Sequence, residues 1–198
     1  MEDIGGLSTM GRFLFGVILG IALVVLIVFA YLKMGSLPVA VNDPPLPNER
    51  LVTSVPLKAR IEREIVKSPP IQADETNLVA GAHIYSEQCA VCHGYHGKPS
   101  KFAPHMFPDA PPLWEKHGHS DVVGVSDDPP GETYWKVANG IRLTGMPSYK
   151  QLLSDTEMWQ VSVLLANADK PLPPAAVAIL NGEPSVTVPA TTAPAASK

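Results

Sequence analysis

The chain has 198 residues with 15 Lys and Arg against 19 Asp and Glu, a formal charge of −4. That balance leaves no broad basic surface of the kind that binds nucleic-acid phosphates, so no nucleic-acid partner is expected. Two cysteines are too few for a disulfide framework, and the 21 prolines, crowded into residues 38–70, 99–130 and 171–194, leave one small globular domain of about 95 residues.

Residues 1–12 precede an uncharged run, "FLFGVILGIALVVLIVFAYL", at 13–32, between Arg12 and Lys33. At 1.5 Å per residue such a helix is ~30 Å long, the thickness of a bilayer's hydrocarbon core. A secretory leader is the competing reading, but its apolar core is usually shorter and ends in a small-residue cleavage site, which "LPVAV" with its Pro38 does not supply. A helix apolar on every side also needs a large surrounding core if it is to be buried in protein, and the chain has no second apolar mass of that size. The run is therefore expected to be an uncleaved transmembrane anchor. One basic residue on each side leaves its orientation undecided.

Residues 33–74 read as a proline-rich, extended spacer. Within it a short helix over 57–67 is possible, with Leu57, Ile61 and Ile65 at i, i+4 and i+8. That stripe is either a solvated piece of linker or a docking strip for a partner. A helical domain is expected over 75–170. Its first helix, "ETNLVAGAHIYSEQCAVC", sets Leu78, Ala82 and Tyr85 on one face, with Gly81 bare enough for another helix to cross closely. A second, "GETYWKVANG", stops at Gly140. A third, "LSDTEMWQVSVLLANA", opens on the capping box Ser154-x-x-Glu157 and carries Trp159, Val163 and Leu164 toward a core. The Pro/Ala/Thr-rich tail, 171–198, lacks sustained periodicity and is expected to be mostly disordered.

The chemistry is concentrated in "CAVCH", Cys89 to His93. Cys-x-x-Cys-His is the attachment signature of a c-type haem: cysteines at i and i+3 share one face of a helical turn, so each can form a thioether with one vinyl group of the same porphyrin. His93 then follows where its imidazole can reach the iron. A zinc site using Cys89, Cys92, His117 and His119 lacks the usual His-x3–5-His spacing, and a thioredoxin-like dithiol would need a βαβ setting. An iron that carries electrons needs a sixth ligand, and methionine favours the reduced state. Met146, between Gly145 and Pro147, lies in a loop because the residue before proline is driven out of the helical region. Met146 is thus the expected distal ligand, with Met106 and the histidines His105, His117 and His119 as the alternatives.

On Gly81, Tyr85, Cys89, Cys92, His93, the "ANG…GMP" run and the "LSDTEMW" helix, residues 75–170 resemble the class I cytochromes c, and more closely bacterial monohaem members with a single N-terminal membrane anchor. The resemblance implies an all-α domain around one covalent haem c. It also implies that Gly81 and Tyr85 meet the Trp159 helix, and that Trp135, Asn139 or Arg142 touches a propionate or the Met146 side. A proline carbonyl should accept a hydrogen bond from His93, and Pro99, Pro104, Pro108, Pro111 and Pro112 all compete for that role. Since haem attachment in this family occurs outside the cytoplasmic membrane, the haem domain is expected in the periplasm of a bacterium and residues 1–12 in the cytoplasm. The expected function is single-electron transfer between a redox donor and an acceptor, without catalysis. The chain would act as a tethered carrier or as a stable subunit of a respiratory or photosynthetic membrane complex. A haem enzyme or gas sensor with an open distal position is the alternative class.

Overall fold

The computed structural model describes residues 4–35, 37–118 and 121–182. The chain forms two compact units that divide after Pro47. The described residues contain no β-strand, only isolated bridges between Tyr95 and Lys98 and between Lys116 and Val123. The chain is thus mostly helical, as its patterning predicts.

The first unit contains α1, Ile4–Lys33. An 18-residue window within its stretch Thr9–Lys33 has a mean hydropathy of 3.2, and its large apolar side chains, Phe13, Ile18, Val25 and Phe29 among them, are exposed. A helix that presents aliphatic side chains in every direction is suited to an apolar surrounding.

The second unit is built on α3 (Glu75–Ile84), α5 (Pro130–Asn139) and α6 (Asp155–Leu165). Asp74 caps α3 by accepting from the Asn77 N–H at 2.9 Å, and Ser154 and Glu157 form the full reciprocal capping box on α6. These side chains satisfy backbone donors that would otherwise be orphaned at the helix starts. α3 crosses α6 at Gly81, where a Cβ would overlap the Gln160 carbonyl and lie 3.1 Å from Leu164 Cβ. The expected role of Gly81 follows from that contact. Tyr85 is fully buried; its hydroxyl donates to the Gly94 carbonyl at 2.7 Å, and its ring stands edge to face with Trp114 at 5.4 Å. Trp159 stacks on Tyr134 of α5 at 4.2 Å.

Two segments depart from the sequence reading. The spacer helix is longer and earlier than 57–67: α2 runs Glu49–Glu64, with Pro56 inside it. It lies against α5 of its own unit. Ile61 is 4% exposed, the Trp135 indole donates to Glu64 Oε2 at 2.9 Å, and a Cβ on Gly131 would overlap the Val66 carbonyl. The aliphatic stripe has therefore found its partner within the chain. In the expected disordered tail, Pro174–Leu180 form α7, burying Ala176, Ile179 and Leu180 in the common core. Proline at the first helical position and tertiary burial stabilise seven residues whose sequence shows no period. Residues 183–198 of that tail lie outside the described residues, as does His119.

Candidate functional site

Between α3 and the Cys89–His93 segment the helix widens to one π turn, Tyr85–Cys89, before α4, Ala90–His93. The Ala90 N–H accordingly reaches the Tyr85 carbonyl, five residues back. Insertions of this kind recur at functional sites. They re-aim the downstream side chains without breaking the helix, and here those side chains are the two cysteines and the histidine.

These residues line an open cavity of about 220 Å³. Cys89, Cys92 and His93 form part of its wall, Met146 and Met106 another, and Leu113, Val137, Ile141, Val161 and Leu165 are among its apolar lining. The four residues expected to hold the haem are thus brought to one cavity. Trp135, Asn139 and Arg142 are not on its lining. Trp135 is turned to Glu64, the Asn139 amide donates to the Trp135 carbonyl at 2.9 Å, and Arg142 is exposed.

The His93 ring is fixed by one contact, Nδ1 to the Pro111 carbonyl at 2.8 Å. A carbonyl only accepts, so Nδ1 carries the proton and the lone pair resides on Nε2, the arrangement that readies an imidazole for a metal. Burial pushes the His93 pKa below its ordinary value, opposed by the Pro111 hydrogen bond. Among the five competing prolines, Pro111 is the one so placed. Burial, and then the neighbouring Cys92, push the Cys89 thiol up to about 12. Reactive dithiols have lowered values instead, so Cys89 is not a poised redox thiolate.

The zinc reading finds no support: His117 Nε2 lies 2.6 Å from the Gly124 carbonyl, and the described residues contain no group of three or more His, Cys, Asp or Glu able to hold a metal ion.

The Met146 loop is tied to α5 and to the Cys89 segment. Gly140 ends α5 with φ +67°, where a Cβ would lie 2.9 Å from the Met146 carbonyl and 2.7 Å from Ser148 N. Beyond the loop, the Tyr149 N–H donates to Val137 at 3.0 Å, and the Tyr149 hydroxyl donates to the Gln88 carbonyl at 2.8 Å. Tyr149 thereby links the methionine side of the cavity to the cysteine side. Sequence reasoning did not single it out, because the bond spans 61 positions. The residues fit a covalently held haem: two thiols for the vinyl groups, an imidazole with Nε2 available for the iron, and thioethers on an apolar wall.

Comparison with known proteins bears on the same residues. Residues 76–165 match the family of cytochrome c oxidase, cbb3-type, subunit III. The thiosulfate dehydrogenase of Stutzerimonas stutzeri (strain A1501) is 29% identical over 99 residues, which is 50% of this chain and 29% of that enzyme. The chain therefore spans less than a third of that relative's length. A chain of the Kuenenia stuttgartiensis reducing HAO-like protein complex aligns over 62% of this chain and 61% of its own, with 24% identity and a TM-score of 0.41. The family match begins one residue into α3 and ends on the last residue of α6. The helices that enclose the cavity lie within the matched stretch, and residues 76–165 form a cytochrome c family domain, which implies a covalent haem c.

Proposed function

We propose that the chain is a membrane-anchored carrier of single electrons at the periplasmic face of a bacterial cytoplasmic membrane. Cys89 and Cys92 would form the two thioethers, and His93 and Met146 would hold the iron. The observation that carries this reading is the cavity itself, whose lining includes both thiols, the imidazole and the Met146 thioether. When bound, the haem supplies a one-electron couple at its iron. The chain's residues set the conditions: Pro111 fixes the His93 ring, the aliphatic wall excludes water, and the soft sulfur of Met146 favours the reduced state. With His93 and Met146 both committed to the iron, no place would be left on it for a substrate, and the domain would relay electrons without transforming a molecule.

α1 is the anchor in this reading, since its exposed aliphatic surface suits a bilayer. The electron donor and acceptor are redox proteins, and the chain serves them as a tethered carrier or as a subunit of an oxidoreductase complex. Ile61, buried within the chain's own unit, is not available to hold such a complex together.

The test combines attachment and ligation. Cys89→Ala and Cys92→Ala should each weaken or abolish covalent haem retention under denaturing electrophoresis. The spectrum of the reduced wild type should be unchanged by carbon monoxide. Ready carbon monoxide binding by the wild type would instead establish an open distal position, and with it a haem enzyme or gas sensor.

A further inference from the structure

We propose that Met106 is a second thioether ligand held in reserve: when the bond between the Met146 sulfur and the haem iron opens, the Met106 sulfur takes the vacated position. The inference rests on the reading that Met146 is the resident ligand.

Both methionines line the cavity. The Met106 methyl group fills the space that a Cβ on Gly145 would occupy, and its sulfur is 4.0 Å from that same point. The second thioether therefore lies against the residue adjacent to Met146, on the methionine side of the cavity. Its backbone is extended, at φ −110° and ψ 154°, after the short turn Ala103–His105. Five residues later the same segment delivers the Pro111 carbonyl to His93. One stretch of chain thus serves the histidine at one end and reaches the opposite wall at the other.

The other nitrogen donor on the lining is committed. Lys136 faces the cavity, but its ammonium is held by Glu132 at 2.7 Å and Asp128 at 3.4 Å. His105, the residue before Met106, is exposed and absent from the lining. A thioether carries no charge and no proton, and its three rotatable bonds let the sulfur be redirected at small cost. In the exchange one sulfur-to-iron dative bond breaks and another forms. No proton moves, and the oxidation state of the iron is unchanged. A methionine serving only to fill a gap would affect packing and leave ligation as it was.

The test uses four haem-loaded, full-length proteins: wild type, Met106→Leu, Met146→Ala and the double variant. Leucine conserves the volume of methionine, so Met106→Leu should fold. Two properties are read: the weak sulfur-to-iron absorption of the oxidised protein, and the carbon monoxide affinity of the reduced one. Wild type and Met106→Leu should be alike. Met146→Ala should retain a shifted sulfur band and bind carbon monoxide at least about tenfold more weakly than the double variant, because apparent affinity falls with the fraction of open sites. The double variant should lose the band. A Met146→Ala protein as open as the double variant would overturn the proposal, and so would a double variant that stays closed. Loss of the band in Met106→Leu alone would overturn the assignment of Met146 itself, an outcome distinct from the other two.

Discussion

The loop that carries Met146 is fastened by its own side chains. The Thr144 hydroxyl donates to the Ile141 carbonyl at 2.7 Å and accepts from the Met146 N–H at 3.1 Å. The Ile141 N–H donates back to the Met146 carbonyl at 3.2 Å, and the Ser148 hydroxyl donates to Ala138 at 2.6 Å. Leu143, inside this ring of bonds, is held at φ 63°, a conformation that costs a non-glycine residue ~1–2 kcal/mol. Replacing Thr144 by Val keeps the shape and strands the Met146 N–H. An unsatisfied donor costs about 1–3 kcal/mol, so loop opening should rise roughly 5- to 150-fold. Titration of the oxidised protein with imidazole should show that gain as tighter binding of the external ligand. An unchanged affinity would mean that Thr144 does not hold the loop. Residues such as Thr144 and Tyr149 could not be read from the sequence, because nothing in their spacing says which carbonyl they meet. The roles of Cys89, Cys92 and His93 were legible because haem attachment needs them adjacent.

At the scale of elements, α2 shows what pattern can and cannot disclose. The Leu57, Ile61 and Ile65 stripe announced a face that needed covering, but its cover, α5, lies some seventy residues further along. The contact includes the Glu64 carboxylate, whose pKa is lowered by the Trp135 indole N–H and then by Arg60. A depressed folded value means that the carboxylate's contribution is complete above the ordinary glutamate pKa of about 4.3 and fades as pH falls through the lower folded value. The Trp135 indole N–H resonance should therefore shift on acidification through that range. In Glu64→Gln the shift should vanish, since the amide oxygen still accepts but does not titrate. A resonance that moves identically in the variant would assign the titration to another group. α6 was fully legible because both ends of its capping box lie within four residues.

For the whole molecule, the packing of α2 decides where a soluble fragment should begin. A fragment starting at Asn48 keeps α2, whereas one starting at Asp74 uncovers the surface that Ile61 buries. Burying such a side chain stabilises by about 1.5–3 kcal/mol, so the shorter fragment should melt roughly 5–15 °C lower. Both should remain soluble after export by a cleavable leader. Equal melting temperatures would show that α2 contributes nothing to the domain. The full chain should stay with membranes through a high-salt wash; recovery of a soluble form lacking roughly its first forty residues would identify α1 as a leader. The domain was legible from 75 onward because caps, period and the cysteine motif agreed there. Its reach to α2 and α7 was hidden, since both elements are stabilised by burial against distant residues and only weakly by their own sequence.

The widened turn at Tyr85–Cys89 sets a rotational phase. One residue in a helix corresponds to about 100° of azimuth and 1.5 Å of advance. α3 is keyed to α6 through Gly81, while the cysteines must look elsewhere, into the cavity. The extra residue in the turn is the offset between those two bearings. A homologue lacking it could retain every helix and every haem-binding residue and still aim its thiols a quarter-turn or more away from the porphyrin. Chain length between Gly81 and Cys89 is therefore as much a part of the attachment site as the sulfur atoms.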